Sequence, residues 1–154
     1  MAKKNNNAEM VRVEHVWSVL CGNSSVDQTS QNISLFSVFE QLNLEKKQIE
    51  EQQSAGKQVV VPINFQLVTL LRKMGAGKFA GNLKTEIVSP DGKNLGTDEH
   101  AIEFHDGKDR LRAIFSFPGM PVATAGYYEF RISLRTTGGQ YEKIASVPLQ
   151  ILLN

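Results

Sequence analysis

Short runs of alternating apolar and polar residues, separated by turn residues, dominate this sequence and favour strands. In the first run, every second residue from Val11 to Cys21 is apolar except His15. Because neighbouring side chains of a strand point to opposite faces, this run predicts a strand whose buried face carries His15 and Trp17. Similar runs predict strands at Val59–Leu71, Leu83–Ile87, His100–Phe104, Leu111–Phe117, Tyr128–Leu134 and Tyr141–Leu153.

Glycine and proline mark the turns between these runs. Ser89-Pro90-Asp91-Gly92 predicts a turn, because proline presets φ and glycine accepts a positive φ. The stretch Gly75–Gly81 predicts a hairpin loop, and Gly138-Gly139 predicts the turn before the last strand. Pro62 cannot donate to a ladder, so Val59–Leu71 is predicted to be an edge strand or to begin outside the pairing.

Three segments fit the alternation less well. Gly22–Asn32 is polar and predicts a loop. In Asn32–Leu44, apolar residues at helical spacing from Leu35 favour a helix, whereas the β-branched and aromatic content favours a strand, which we prefer. Glu45–Lys57 predicts a solvated loop or one exposed helical turn. About eight strands without a long helix predict one antiparallel sandwich or barrel over residues 11–154, after a disordered tail at 1–10.

Charge and cysteine content argue against several classes of function. The chain has 154 residues and a formal net charge of +1, which offers no electrostatic basis for binding nucleic acid or an anionic membrane. No apolar run approaches the roughly 20 residues of a membrane span, and no secretory signal follows the polar start Met1–Asn7. A single cysteine, Cys21, cannot form an internal disulfide, so we expect a reducing compartment, the cytoplasm.

Two patterns resemble catalytic or metal sites without completing them. Met74-Gly75-Ala76-Gly77-Lys78 resembles part of a phosphate-binding loop, but Phe79 replaces the hydroxyl residue that would hold magnesium, and Arg72 stands in place of the first glycine. His100 and His105 differ by five positions, so in a strand they point to opposite faces and cannot share a metal. We therefore expect no catalytic residue, no metal ion and no cofactor.

Two further chemistries remain as alternatives. Asp98, Glu99, Asp106 and Asp109 would bind calcium if they converged at one end of the sandwich. Cys21 ends an apolar strand face, where a structural thiol is the common case, and the sequence contains no Gly-x-Ser-x-Gly elbow. We expect no enzyme activity, and an enzyme of unrecognised type is the remaining alternative.

Arginine and tyrosine residues stand at positions that point away from the predicted core. The strands of Arg112 and Arg131 look like neighbours, and their pairing would allow cross-strand salt bridges on a face that also carries Glu129. Tyr127 is out of phase with the buried positions around it. The predicted interaction face, suited to an acidic partner, comprises Arg110, Arg112, Arg131, Arg135 and Tyr127.

The order of these features resembles a known family. The opening strand Val11–Cys21, the segment Asn32–Leu42 (NISLFSVFEQL), the turn in Ile87–Gly92 (IVSPDG) and the strand Gly126–Ile132 (GYYEFRI) follow one another as in the bacterial DUF6941 family of uncharacterised proteins. The resemblance covers residues 11–152. It implies a bacterial source, an immunoglobulin-like or C2-like β-sandwich of about eight strands, and no catalytic residues.

These expectations favour a non-catalytic module that binds a protein partner or associates with itself. An exposed strand edge in Val59–Leu71 is the expected contact, because an open edge is a template for another strand. A module that binds a small ligand, a carbohydrate or calcium through its loops is the alternative.

Overall fold

Two β-sheets that face each other across one hydrophobic core form most of the molecule. The computed structural model describes residues 10–154, so the predicted tail at 1–10 lies outside the described residues except for Met10. Within that range the chain forms eleven strands and one helix. They are β1 (Arg12–Val26), β2 (Ile33–Val38), β3 (Gln41–Leu44), α1 (Lys46–Ser54), β4 (Val59–Val61), β5 (Phe65–Met74), β6 (Phe79–Val88), β7 (Asn94–Phe104), β8 (Arg110–Phe117), β9 (Met120–Val122), β10 (Gly126–Thr136) and β11 (Glu142–Leu153).

The chain crosses repeatedly between the two sheets and forms hairpins of consecutive strands at β1–β2, β6–β7 and β10–β11. One sheet has four strands in the order β2-β1-β5-β8, and the other has five in the order β3-β11-β10-β6-β7. β4 and β9 form a separate two-stranded ribbon, and β3–β11 is the one parallel pair of the described strands. The all-β sandwich predicted from the alternation is confirmed. Eleven strands replace the predicted eight because two of the runs break and a short strand, β9, was missed.

Aromatic side chains fill the centre of the core between the two sheets. The rings of Phe65 and Phe117 stack with their centroids 4.9 Å apart, and both rings meet Phe130 of the opposite sheet edge to face at 5.8 and 5.9 Å. Tyr128 is also buried, and its hydroxyl donates to the carbonyl oxygen of Thr124. Each such side chain contributes about 1.5–3 kcal/mol through burial, so this cluster holds the two sheets together.

A bulge divides β1 into two halves of opposite phase. His15 pairs with Leu71 and Trp17 with Leu70, so the intervening Val16 is the extra residue. Before the bulge, Val13 and His15 therefore face the core, as their partners on β5 show. After it, Trp17 and the alternate residues that follow lie on the outer face of the four-stranded sheet. The predicted single buried face that carries both His15 and Trp17 is therefore wrong.

β1 and β2 form a hairpin that folds back over the outer face of the four-stranded sheet. At about 3.3 Å per residue, a straight continuation of β1 from Cys21 to its end at Val26 would carry the tip of the hairpin about 17 Å beyond Gln66, the residue opposite Cys21. Instead, the Ser24 hydroxyl donates to Gln66 Oε1 over 2.6 Å, and Arg112 Nη2 on β8 donates to the carbonyl oxygen of Gln31 over 3.2 Å. The hairpin therefore bends across β5 towards β8.

The hairpin covers a second apolar layer. Cys21 and Val68 are fully buried but lie outside the core cluster between the sheets, because they point to the opposite side of the four-stranded sheet. We call this side the hairpin face. It carries Trp17, Val19, Cys21, Val68, Leu70, Ile114, Arg72, Arg110 and Arg112.

The segments that fitted no single pattern are only partly as predicted. The preferred strand interpretation of 32–44 is confirmed as β2 and β3, but the predicted loop at 22–32 is wrong up to Val26, where β1 ends. The predicted loop or single turn at 45–57 contains α1, which has nine residues and buries Ile49 against the core. In the part of the chain that the structure describes, no helix has the length and apolar character needed to cross a membrane.

The run with Pro62 and the glycine-rich stretch connect different layers. Pro62 follows β4, and β5 begins at Phe65 as a central strand between β1 and β8. The predicted edge strand is therefore wrong for β5, whereas the alternative, that the first residues of Val59–Leu71 lie outside its pairing, is confirmed. The predicted hairpin at Gly75–Gly81 is also wrong, because β5 and β6 belong to different sheets. The turn at Ser89–Gly92 is confirmed: it joins β6 to β7, and Gly92 has a φ of +86°.

Candidate functional site

The predicted interaction face does not form one surface. Arg110 and Arg112 lie on β8, on the hairpin face, whereas Arg131 and Arg135 lie on β10, on the outer face of the five-stranded sheet. β8 and β10 do not pair, so the expected salt bridges between their side chains do not form. The prediction that these arginines point away from the core is correct, but the prediction that the strands of Arg112 and Arg131 are neighbours is wrong.

The outer face of the five-stranded sheet carries paired charges, and we call it the charged face. It contains Lys84, Glu86, Glu99, Glu129, Arg131, Arg135 and Lys143. Glu129 accepts hydrogen bonds from Arg131 Nη2 at 3.1 Å and from Lys143 Nζ at 2.6 Å. Hydrogen bonds from Arg131, Lys143 and Ser146 hold the pKa of Glu129 at about 2 instead of 4.5. This carboxylate therefore stays ionised at neutral pH, and its oxygens accept hydrogen bonds from residues of the same sheet.

Arg135 belongs to a second group on the charged face. Arg135 Nη2 lies 3.2 Å from Glu99 Oε1, which also accepts a hydrogen bond from the Tyr141 hydroxyl. The Tyr141 ring lies against two cations, with Lys84 Nζ at 4.3 Å and the Arg135 guanidinium carbon at 4.5 Å from its centre. Tyr141 is therefore enclosed by charges and is not an open stacking platform.

The histidine and carboxylate residues considered for metal binding lie apart. His100 stacks on the core residue Phe115 at 4.3 Å and contacts Asp98, whereas His105 follows β7 and contacts Glu103. Of the calcium candidates, Glu99 is taken up by the contacts with Arg135 and Tyr141 just described. In the described residues, no three His, Cys, Asp or Glu side chains converge to hold a metal ion.

A polar chain inside the sandwich links β1 to β5. His15 Nε2 lies 2.7 Å from Ser18 Oγ, which lies 2.8 Å from Thr69 Oγ1. Burial lowers the pKa of His15, so the neutral imidazole is favoured. A serine and histidine at this distance resemble part of a hydrolase triad, but no carboxylate of the described residues hydrogen-bonds to His15. The chain of hydrogen bonds satisfies buried polar groups near the bulge.

A groove that carries exposed apolar side chains lies along one open side of the sandwich. Its volume is about 460 Å³, and it runs between β1 and β11 beneath the segment that connects β2 to β3. Its lining is neutral except for Glu40. The lining residues are Ser18, Val19, Leu20, Val38, Phe39, Glu40, Gln41, Tyr127, Val147, Pro148 and Gln150.

Exposed apolar side chains surround this groove. Tyr127 is 64% exposed, Val38 is 54% exposed, and Phe36, two residues before Val38 on the same side of β2, is 51% exposed. Of the predicted interaction residues, Tyr127 is the one that lines the groove. Aromatic residues are enriched at protein interfaces, where a rigid ring contributes a large contact area at low entropic cost.

Sequence reasoning missed Phe36, Val38 and the lining from β11. The alternation in Ile33–Val38 was visible, but it does not reveal which of the two sides of β2 becomes covered. Pro148 was a usable signal, because proline in a strand is typical of a sheet edge. No protein-family model matches the chain, and no curated protein matches its sequence. The resemblance to the DUF6941 family therefore stays a prediction.

Proposed function

We propose that this protein is a non-catalytic interaction module that binds an extended segment of a protein partner in the groove between β1 and β11. One observation carries the proposal: consecutive residues of both strands line the groove, namely Ser18–Leu20 of β1 and Val147–Pro148 of β11. Consecutive side chains of a strand point to opposite faces, so a groove lined by all of them follows the edge of the strand. Edges are where an added strand binds.

The free edges provide the backbone groups for such a contact. β1 pairs with β5 on one side, and its pairing with β2 begins only at Cys21. β11 pairs with β10, and its parallel pairing with β3 begins only at Gln150. Among the described strands, therefore, β1 before Cys21 and β11 before Gln150 each keep one unpaired edge. An extended segment satisfies such backbone donors and acceptors, whereas a globular surface does not.

Three features limit how many backbone hydrogen bonds a bound segment makes. The bulge at Val16 interrupts the regular edge of β1, Pro148 lacks an N–H on β11, and the carbonyl oxygen of Leu20 already accepts a bond from Phe39. Each net backbone hydrogen bond contributes about 0.5–1.5 kcal/mol. The apolar contacts with Val38 and Tyr127 must therefore supply much of the affinity, and they make the contact selective.

Photo-cross-linking from the groove tests this function. We would place p-benzoylphenylalanine at Tyr127, cross-link in native lysate and identify the captured segment by mass spectrometry. The same amino acid at Val60, a residue that is 50% exposed and does not line the groove, is the matched control. We expect an adduct with one protein segment at position 127, and loss of that adduct in the Val38→Asp variant.

A peptide with the captured sequence then tests the mode of binding. We expect it to slow amide hydrogen exchange in Trp17–Val19 of the folded protein, and Val60→Asp to leave this protection unchanged. Equal cross-linking at both positions, or capture without amide protection, would overturn the proposal. If cross-links form only between copies of this chain, the groove binds a second copy of the protein and not a different partner.

The fold type, the family and the compartment belong to the same proposal. An immunoglobulin-like or C2-like sandwich is supported by two mainly antiparallel sheets that enclose a single core. Membership of the bacterial DUF6941 family is supported by the quoted motifs. The free, buried thiol of Cys21 is consistent with the cytoplasm.

A further inference from the structure

Two arginines stand directly opposite each other on the hairpin face. Arg72 of β5 pairs in register with Arg110 of β8, and both side chains are exposed on the same side of the sheet. Like charges directly opposite each other on neighbouring strands destabilise a sheet. In the described part of the chain, neither guanidinium forms an ion pair, and Arg72 donates only to the thioether sulfur of Met74, a weak acceptor.

Arg112 extends this pair along β8. It lies two residues after Arg110 on the same face, about 7 Å further along the strand. Its Nη2 donates to the carbonyl oxygen of Gln31, while its buried Nε has no hydrogen-bond partner in the described residues. In its own row across the sheet it lies beside Leu70 and then Trp17. Cationic and apolar groups thus occupy adjacent positions.

The acidic groups nearest to these arginines are committed elsewhere. Glu14 lies opposite Arg72 on β1, but its carboxylate contacts Arg12 at 2.8 Å. Asp27, at the tip of the hairpin, accepts hydrogen bonds from the backbone amides of Thr29 and Ser30. The three arginines therefore keep an excess of positive charge on a protein whose net charge is only +1.

We propose that Arg72, Arg110 and Arg112 bind the carboxylates of an acidic, extended segment of a protein partner. Alternate side chains of an extended segment are about 7 Å apart, which matches the spacing of Arg110 and Arg112 along β8. The planar guanidinium donates in parallel pairs to a carboxylate, so each arginine engages one acidic side chain. The apolar side chains of Trp17 and Leu70 favour a segment in which acidic and apolar residues alternate. None of these five residues lines the groove.

Trp17 provides a direct test because it is the only tryptophan of the chain. We would titrate the protein with the peptide Glu-Val-Glu-Val-Glu-Val, with its lysine counterpart Lys-Val-Lys-Val-Lys-Val and with pyrophosphate, and follow tryptophan fluorescence. We expect a saturable change with the acidic peptide alone, and an affinity that falls as salt increases because the contacting charges are exposed.

Matched variants separate this site from general electrostatics. Arg110→Glu should weaken binding of the acidic peptide by about tenfold or more, the range in which loss of a charged contact is expected. Lys47→Glu changes the net charge equally on exposed α1 and should leave the affinity unchanged, with circular dichroism as the folding check. Val38→Asp in the groove should also bind the peptide normally, so failure of one proposal is distinguishable from failure of the other.

Three results would overturn the inference. If the folded protein shows no fluorescence change with the acidic peptide, the three arginines do not form the proposed binding site. Equal weakening by Arg110→Glu and Lys47→Glu reduces it to an effect of net charge. Saturation by pyrophosphate without binding of the peptide replaces the protein segment by a small oxyanion.

Discussion

The two outer faces of this sandwich differ in how their charged side chains are paired. On the charged face, each arginine and lysine of the two groups around Glu129 and Glu99 has an acidic or aromatic partner within the sheet. On the hairpin face, apolar residues dominate, the hairpin covers part of them, and Arg72 and Arg110 face each other without an acidic partner in the described residues. The cationic side chains of the charged face therefore have acidic or aromatic partners within their own sheet, whereas Arg72 and Arg110 of the hairpin face have none among the described residues.

This difference separates structural charge from charge available for binding. Arginine content alone does not distinguish the two faces, since each carries at least two arginines at outward positions. Cross-strand neighbours distinguish them, because Arg131 has Glu86 opposite it on β6 whereas Arg110 has Arg72 opposite it on β5. Arg131 also forms an ion pair with Glu129 of its own strand. An arginine whose donors already bind carboxylates contributes to stability, and one without such partners is available to an external anion.

The largest expected effect tests whether the hairpin face is a true second core. Val68→Ala removes buried apolar surface and leaves a cavity, so we expect it to lower the free energy of unfolding by about 2 kcal/mol. Val38→Ala removes the same atoms from the exposed side of the hairpin and should change stability by less than about 0.5 kcal/mol. Urea denaturation measures both. Similar values for the two variants would contradict the presence of a covered layer.

The next effect concerns the charged face and its response to acid. Because the folded pKa of Glu129 is about 2 and its ordinary value is 4.5, the folded state binds fewer protons between these pH values. The stabilisation is therefore complete above pH 4.5 and is lost as the pH falls through about 2. Allowing for solvent screening of a partly exposed side chain, we expect about 1 kcal/mol.

Glu129→Gln isolates this contribution from the other carboxyl groups. Relative to the wild type, the variant should be less stable at pH 7, and the difference should shrink between pH 4.5 and pH 2. Denaturation curves at several pH values measure it. A difference that stays constant over this range would show that the ion pairs with Arg131 and Lys143 do not stabilise the folded protein.

A smaller effect tests the backbone of the hairpin. Gln31 has a φ of +61°, which costs an ordinary residue about 1–2 kcal/mol but is accessible to glycine. Gln31→Gly should raise stability by about 0.5 kcal/mol, because the greater freedom of the unfolded chain offsets part of the gain. The counterpart on the five-stranded sheet is Gly138→Ala at φ +77°, which should lower it by about 1 kcal/mol. Thermal unfolding of both variants provides the comparison, and destabilisation by Gln31→Gly would sink it.

The smallest effect compares one arginine from each face. Arg110→Gln relieves the repulsion with Arg72, so stability should stay the same or rise by a few tenths of a kcal/mol. Arg131→Gln removes a partner of Glu129 and should lower stability by about 0.5–1 kcal/mol. Denaturation at low salt measures both, and an equal loss in the two variants would remove the distinction between the faces.

Local patterns predicted much of the fold and little of the candidate site. The strand around Tyr128–Leu134, the turn at Ser89–Gly92 and the outward position of Tyr127 follow from alternation and turn chemistry, which depend on nearby residues. The bulge at Val16 was not visible, because a bulge exists only relative to the pairing of β1 with β5. The strand at Val59–Leu71 was misplaced for a similar reason, since Pro62 shows where pairing stops and not where the next strand is inserted.

The sequence by itself determined which stretches become strands and which side chains of one strand share a face. It did so because both properties follow from the backbone geometry of a few consecutive residues. Only the tertiary structure decided that Arg110 lies opposite Arg72 while Arg131 lies opposite Glu86, and that Ser18–Leu20 lies beside Val147–Pro148. Those neighbours are far apart in the chain, and the order of strands in two sheets brings them together. The groove and the arginine site are both properties of that order.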